Sequence, residues 1–87
     1  MTEREMEEIG NITHFFTKIG VAIVELVGTL SLGDRILVQG PNTNFEQTVE
    51  SMQIEHKNVQ TAHSGQSVGL KTRDRVRETD KVYKIIS

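Results

Sequence analysis

Four basic side chains alternate with other residues near the C-terminal end of the sequence, and this spacing has a clear chemical use. They are Lys71, Arg73, Arg75 and Arg77. In an extended segment they would point the same way about 6.6 Å apart, close to the spacing of phosphates along a nucleic-acid strand. The pattern therefore predicts a ridge that contacts RNA, with His56, Lys57 and His63 as neighbours. The alternative is a solvated loop that nearby carboxylates partly neutralise.

The distribution of charge along the chain agrees with this assignment. The formal net charge is −2, which argues against a wholly basic nucleic-acid-binding protein. Residues 1–53 carry three basic and eight acidic side chains, whereas residues 54–87 carry seven basic and four acidic ones. Any polyanion should therefore contact the C-terminal part.

The other reactive side chains do not form a catalytic or metal-binding pattern. The absence of cysteine excludes thiolate zinc sites, cysteine nucleophiles and disulfides. His14 and His56 are far apart in sequence and lack a carboxylate-rich ligand spacing. No serine lies in a nucleophile elbow, and no GxxxxGK[ST] loop is present to hold a nucleotide. We predict a non-enzymatic protein without metal, cofactor or nucleotide.

Short strands must position these residues. The chain of 87 residues is long enough for one domain. Residues 1–8 are acidic with few apolar positions, which predicts a disordered or short helical lead-in before a single domain over residues 9–87. Six runs rich in β-branched and aromatic residues follow, at 9–17, 20–26, 34–39, 45–56, 67–72 and 81–86. Without helices to cover the sheet, they favour an all-β fold, a small closed six-stranded antiparallel barrel.

The fourth run contains a change of phase. Phe45, Gln47 and Val49 share one side of a strand, but Met52 and Ile54 have the opposite parity. Either a β-bulge near residues 50–51 returns both halves to one side, or the strand passes from one neighbour to another.

Several small or polar residues are assigned to the architecture of turns or to close backbone approach. These structural positions are Gly28, Gly33, Asp34, Gly65 and Gly69. The Phe15-Phe16 pair places one ring on each face of its strand, so one belongs in the core. The other either packs against the lead-in or is an exposed platform.

Two sets of residues resemble known families. The first set spans residues 48–70 and the preceding turn: Val49-x-Ser51-Met52-x-Ile54-x-His56, Ser64-Gly65-Gln66-x-Val68-Gly69-Leu70 and Gly28-x-Leu30-x-x-Gly33-Asp34-x-Ile36. It resembles the second domain of elongation factors of the Tu and 1-alpha type. The second set covers nearly everything from residue 9 onward, including Ile9-Gly10-x-Ile12-Thr13-His14-Phe15-Phe16, Phe45-Glu46-Gln47-x-Val49-Glu50-Ser51-Met52 and Asp80-Lys81-Val82-Tyr83. It is similar to the small C-terminal barrel of collagenase-like peptidase homologues that take part in RNA hydroxylation.

Both resemblances imply the translation-factor type of barrel, and together with the charge distribution they predict a function. The predicted protein is a stand-alone, non-catalytic barrel that binds RNA or a tRNA/ribosome complex in protein biosynthesis. The alternative is a protein-interaction module that serves as an accessory domain of a larger enzyme or translation factor, since in both families the barrel is attached to a catalytic partner. The sequence shows neither a secretory signal nor a membrane span, which predicts a cytoplasmic protein.

Overall fold

The computed structural model describes residues 5–86, and in this range the chain is built from β-strands without a helix. The ten strands are β1 (Met6–Phe16), β2 (Val21–Leu26), β3 (Leu30–Ser31), β4 (Arg35–Gly40), β5 (Thr43–Thr48), β6 (Met52–Ile54), β7 (Lys57–Asn58), β8 (Thr61–Ala62), β9 (Ser67–Lys71) and β10 (Lys81–Ile85). All strand pairs are antiparallel. The prediction of an all-β antiparallel fold is confirmed.

The strands form one large curved sheet and one small ribbon. The sheet has eight strands in the order β5-β4-β10-β1-β2-β9-β6-β7, and β3 pairs with β8. Within residues 5–86 no strand ladder joins the edges β5 and β7, so the predicted closed six-stranded barrel is not observed. The sheet nevertheless curls. This is shown by a hydrogen bond from the side chain of Gln47 on the edge strand β5 to Lys71 at the end of β9, five strands along.

The break between β5 and β6 makes β5 an edge strand of the sheet. In the part of the chain that the structure describes, β5 pairs only with β4, whereas β6 pairs with β7 and β9. In the segment between them, the Val49 N–H donates to Asp34 O at 2.8 Å, and the Val49 carbonyl accepts from the Gly33 N–H at 2.9 Å. The change of phase therefore marks a strand that passes from one neighbour to another. The irregular pairings of β1 lie elsewhere, between Glu8 and Gly10 and between Ile12 and His14.

The N-terminal strand begins earlier than the sequence suggests. Met6, Glu7 and Glu8 pair with the last strand, β10, although all three side chains are exposed. Strand pairing uses backbone groups, so it does not require the buried side chains whose absence predicted a disordered or helical lead-in over residues 1–8. Residues 1–4 of that predicted lead-in lie outside the described residues.

The core is filled by apolar side chains that alternate along the strands. Ala22, Val24 and Leu26 are buried on β2, and Val68 and Leu70 are buried on the neighbouring β9. The remaining members of this cluster come from the other strands and two connecting segments: Ile9, Ile12, Leu30, Ile36, Val38, Val49, Met52, Ala62, Val76 and Val82. This period of two is the pattern expected when one face of a sheet is buried.

Candidate functional site

The basic segment, residues 71–77, forms a loop that packs on the core (the basic loop) and not an extended ridge. Lys71 is the last residue of β9, and no strand covers residues 72–80. Thr72 and Val76 are buried, whereas Arg73 and Arg75 are exposed. The two inward side chains draw the backbone away from the straight path that alternating basic residues predict. The four basic side chains are all on the surface, but they do not continue one strand.

Arg73 differs from its basic neighbours because its guanidinium already has partners. Its Nε atom lies 3.5 Å from Asp74 Oδ2, and its Nη1 atom donates to the Glu46 carbonyl at 3.4 Å. Within residues 5–86, the side chains of Lys71, Arg75 and Arg77 form no ion pair. Exposed ion pairs contribute little to stability, so the charge of Arg73 is available to a binding partner, as are the charges of its three basic neighbours.

The three residues predicted as neighbours of the basic loop lie apart from it. Glu55 and His56 form the two-residue turn between β6 and β7, with φ values of 52° and 65°. Lys57 follows on the edge strand β7. His63 lies in the turn between β8 and β9, where its backbone N–H donates to Gln66 Oε1 at 2.7 Å. Among the described residues, no hydrogen bond or ion pair connects these side chains with the basic loop.

The predicted turn residues have two kinds of geometry. Gly33 and Gly65 have φ values of 91° and 90°, in the region that favours glycine. The Asp34 carboxylate accepts a hydrogen bond from a backbone N–H three residues earlier, at 2.9 Å. Gly28 packs against β1, and Gly69 lies inside β9 and not in a turn.

A cleft of about 380 Å³ lies between the edge strand β5 and the end of β9. Its lining carries three basic groups, one carboxylate and several hydroxyl and amide groups. The residues are Arg35, Gln47, Thr48, Glu50, Ser51, Lys71, Thr72 and Arg73. The structure thus brings two of the predicted basic residues, Lys71 and Arg73, together with Arg35, which the sequence analysis did not select.

The buried amide of Gln47 builds the inner wall of this cleft. Its Nε2 donates to the Lys71 carbonyl at 2.8 Å, and its Oε1 accepts from the Arg73 N–H at 2.8 Å. In a parallel strand pair one residue bonds a carbonyl and the N–H two residues later, so the side-chain amide of Gln47 takes the place of one such residue. Gln47 therefore holds the start of the basic loop against β5. The only sequence signal for this role was a polar residue at an inward position between Phe45 and Val49.

A second cleft, of about 360 Å³, lies beside the first and shares Glu50 and Ser51 with it. Its lining is more apolar and includes Leu32, Met52 and Val59. Leu32 is 40% exposed, whereas Met52 is buried. The segment between β5 and β6 therefore separates a basic cleft from an apolar one.

The described residues contain no group of three or more side chains that could bind a metal ion. His14 lies 3.5 Å from Glu78 and packs edge-on against Phe16, with ring centroids 4.4 Å apart. Phe15 is partly buried against the core, whereas Phe16 is 45% exposed. Between residues 5 and 86 there is no helix that could cross a membrane.

Comparisons with known proteins connect the chain with peptidases. No protein-family profile matches it. An uncharacterized protease of Methanocaldococcus jannaschii is 47% identical over 77 residues, which are 87% of this chain and 19% of that protein. A collagenase of Porphyromonas gingivalis is 34% identical over 83 residues, which are 93% of this chain and 23% of that protein. The chain thus spans about a fifth of the length of the curated relatives it matches.

A solved structure shows the same fold in isolation. The crystal structure of the C-terminal domain of a Geobacillus thermoleovorans protein named as a U32 peptidase superposes with a TM-score of 0.84 and 25% identity. The match covers 90% of this chain and 91% of that domain. The homologues are therefore C-terminal domains of the U32 peptidase and collagenase type, in line with the second of the two sequence resemblances.

These relatives overturn the main functional prediction. A translation-factor-like, RNA-binding role in protein biosynthesis is wrong, since the homologues are named as peptidases and collagenases. The prediction rested on a resemblance of fold together with the charge distribution, and a shared type of β-fold does not identify a ligand. The alternative, an accessory domain of a larger enzyme, agrees better with the comparisons.

Proposed function

We propose that this chain is a non-catalytic accessory domain that docks on the catalytic part of a U32-type peptidase. One observation carries the proposal: the 47% identity extends over 87% of this chain but over only 19% of the relative named as a protease. About four-fifths of that relative has no counterpart here. The chain therefore corresponds to one module of that relative.

The geometry of the described residues supports a binding role. The interior is filled by apolar side chains, and His14 and Glu78, the one His–carboxylate pair between residues 5 and 86, are both well exposed at the surface. Catalytic acid–base groups instead tend to converge in a sheltered cleft, where burial and neighbouring charges tune them. Several large apolar side chains are also exposed and could contact another domain: Met6, Phe16, Ile19, Val27, Leu32 and Ile86.

The proposal predicts a complex that a deletion can reveal. The Methanocaldococcus jannaschii relative would be expressed without the 77 residues that match this chain, and its binding to the chain measured by calorimetry. We expect a one-to-one complex, because the deletion exposes the surface on which its own domain docked. The full-length relative is the matched control and should bind more weakly, since that surface is already occupied.

Two results would contradict the proposal. One is that this chain binds the truncated and the full-length relative equally well, or binds neither. The other is hydrolysis of a collagen-derived peptide by this chain alone, which would show that it contains its own catalytic groups.

A further inference from the structure

The edge strand β5 presents backbone groups to the basic cleft. Among the described residues it pairs with β4 on one side and with no strand on the other. The Glu46 carbonyl accepts a hydrogen bond from Arg73 across the cleft, which shows that the backbone of this residue faces away from β4. Alternate residues of an antiparallel strand face the same edge, so the backbone groups of Asn44 and Thr48 also point away from β4, and Thr48 lines the cleft. Such an edge is a template for another extended segment.

The charges around this edge favour carboxylates. The Lys71 ammonium forms no ion pair with any described residue. The guanidinium groups of Arg35 and Arg73 each hold a carboxylate of this chain, Glu46 at 3.6 Å and Asp74 at 3.5 Å. These two carboxylates do not line the cleft, so the two guanidinium groups face it together with Lys71, the third cation, which is available to a ligand.

The neighbouring cleft adds a requirement for an apolar side chain. Leu32 and Val59 line it, and neither is fully buried. The Glu50 carboxylate stands at the boundary of the two clefts and would repel an acidic group there. A ligand that covers both clefts therefore needs acidic groups near Lys71 and an apolar group beyond Glu50.

We propose that the two clefts together bind an extended acidic segment of a protein partner, which adds to β5 as a further strand. Its carboxylates contact Lys71 and Arg73, and an apolar side chain at one end packs between Leu32 and Val59. The inference deepens the proposed function and rests on it for the source of the segment, the catalytic part of the peptidase. A polyphosphate ligand would neutralise the cations but would offer neither strand backbone groups nor an apolar side chain.

Defined peptides test the site directly on the full chain. Two eight-residue peptides, acetylated and amidated, would alternate glutamate with threonine. One peptide would carry a leucine at its N-terminal end, and the other would carry it at its C-terminal end. Amide chemical shifts of the ¹⁵N-labelled chain would follow their binding. We expect one of the two peptides to shift the amides of Asn44, Thr48 and Lys71, and its glutamine counterpart to bind roughly tenfold more weakly.

Two charge reversals locate the contact. Lys71→Glu should weaken peptide binding roughly tenfold, because it places a like charge against the carboxylates. Arg77→Glu is the matched control: it makes the same change in net charge at an exposed residue of the same basic loop that does not line the cleft, and it should change affinity less than about twofold. Equal effects of the two variants, equal binding of the glutamine peptide, or stronger binding of octa-adenylate than of the acidic peptides would overturn the inference.

The complex with the truncated relative separates this inference from the proposed function. If wild-type chain and Lys71→Glu bind the truncated relative equally, the cleft is not the docking site, although the accessory role stands. If the acidic peptide binds at β5 but the truncated relative does not bind at all, the cleft is a peptide site and the accessory role is wrong.

Discussion

Replacement of Gln47 by leucine should open the seam between β5 and the basic loop. Leucine fits a buried position of similar size but removes both amide hydrogen bonds, to the Lys71 carbonyl and from the Arg73 N–H, each 2.8 Å long. A hydrogen bond of this kind contributes about 0.5–1.5 kcal/mol to the free energy of unfolding. For the pair we expect Gln47→Leu to lower that free energy by about 1–3 kcal/mol.

Urea unfolding at equilibrium measures this loss, and amide hydrogen exchange locates it. The Arg73 N–H should exchange faster in Gln47→Leu, since its acceptor is gone, whereas the amides of β2 should lose protection only in proportion to global stability. Gln53→Leu is the matched control. Gln53 is exposed on β6, and among residues 5–86 the one hydrogen-bond partner of its amide is the side chain of Asn58, at 3.1 Å. Its replacement should therefore change stability by less than about 0.5 kcal/mol.

One result would refute the reasoning about the seam. If Gln47→Leu unfolds at the same urea concentration as the wild-type chain and the Arg73 amide exchanges at an unchanged rate, the side-chain amide does not hold the loop against β5. The curvature of the sheet would then depend on the apolar core alone.

Two further changes test the backbone geometry of the sheet. Gly10→Ala would place a methyl group 2.6 Å from the Glu25 carbonyl of β2, so the strands must separate locally; we expect a loss of about 1–3 kcal/mol in urea unfolding, and an unchanged midpoint would show that β1 can shift freely. The turn with Glu55 at φ 52° and His56 at φ 65° suits Asn-Gly better, so the double change Glu55→Asn and His56→Gly should raise the free energy of unfolding by about 1 kcal/mol. A lower thermal midpoint for the double variant would show that the two native side chains make stabilising contacts.

The sequence by itself determined the class of fold. Each of the six predicted runs overlaps at least one strand, and the burial of Ala22, Val24 and Leu26 on β2 has the period of two expected of a strand. These features are local, because the period of two and the turn residues act within a few positions of the chain. The strands β3, β7 and β8 were missed because two residues are too few to show a period. They exist through long-range or hairpin pairing, β3 with β8 and β7 with β6.

Only the tertiary structure decided the shape of the basic segment and the site beside it. The alternation of Lys71 and the arginines predicts a straight strand, but burial of Thr72 and Val76 turns the chain away from the sheet after β9. Gln47 meets this segment across 24 and 26 residues of sequence, a distance over which no local pattern carries information. A polar residue at an inward position can stabilise or destabilise the protein, depending on the backbone groups that the fold brings opposite it. The amide of Gln47 is stabilising only because both of its hydrogen bonds are made.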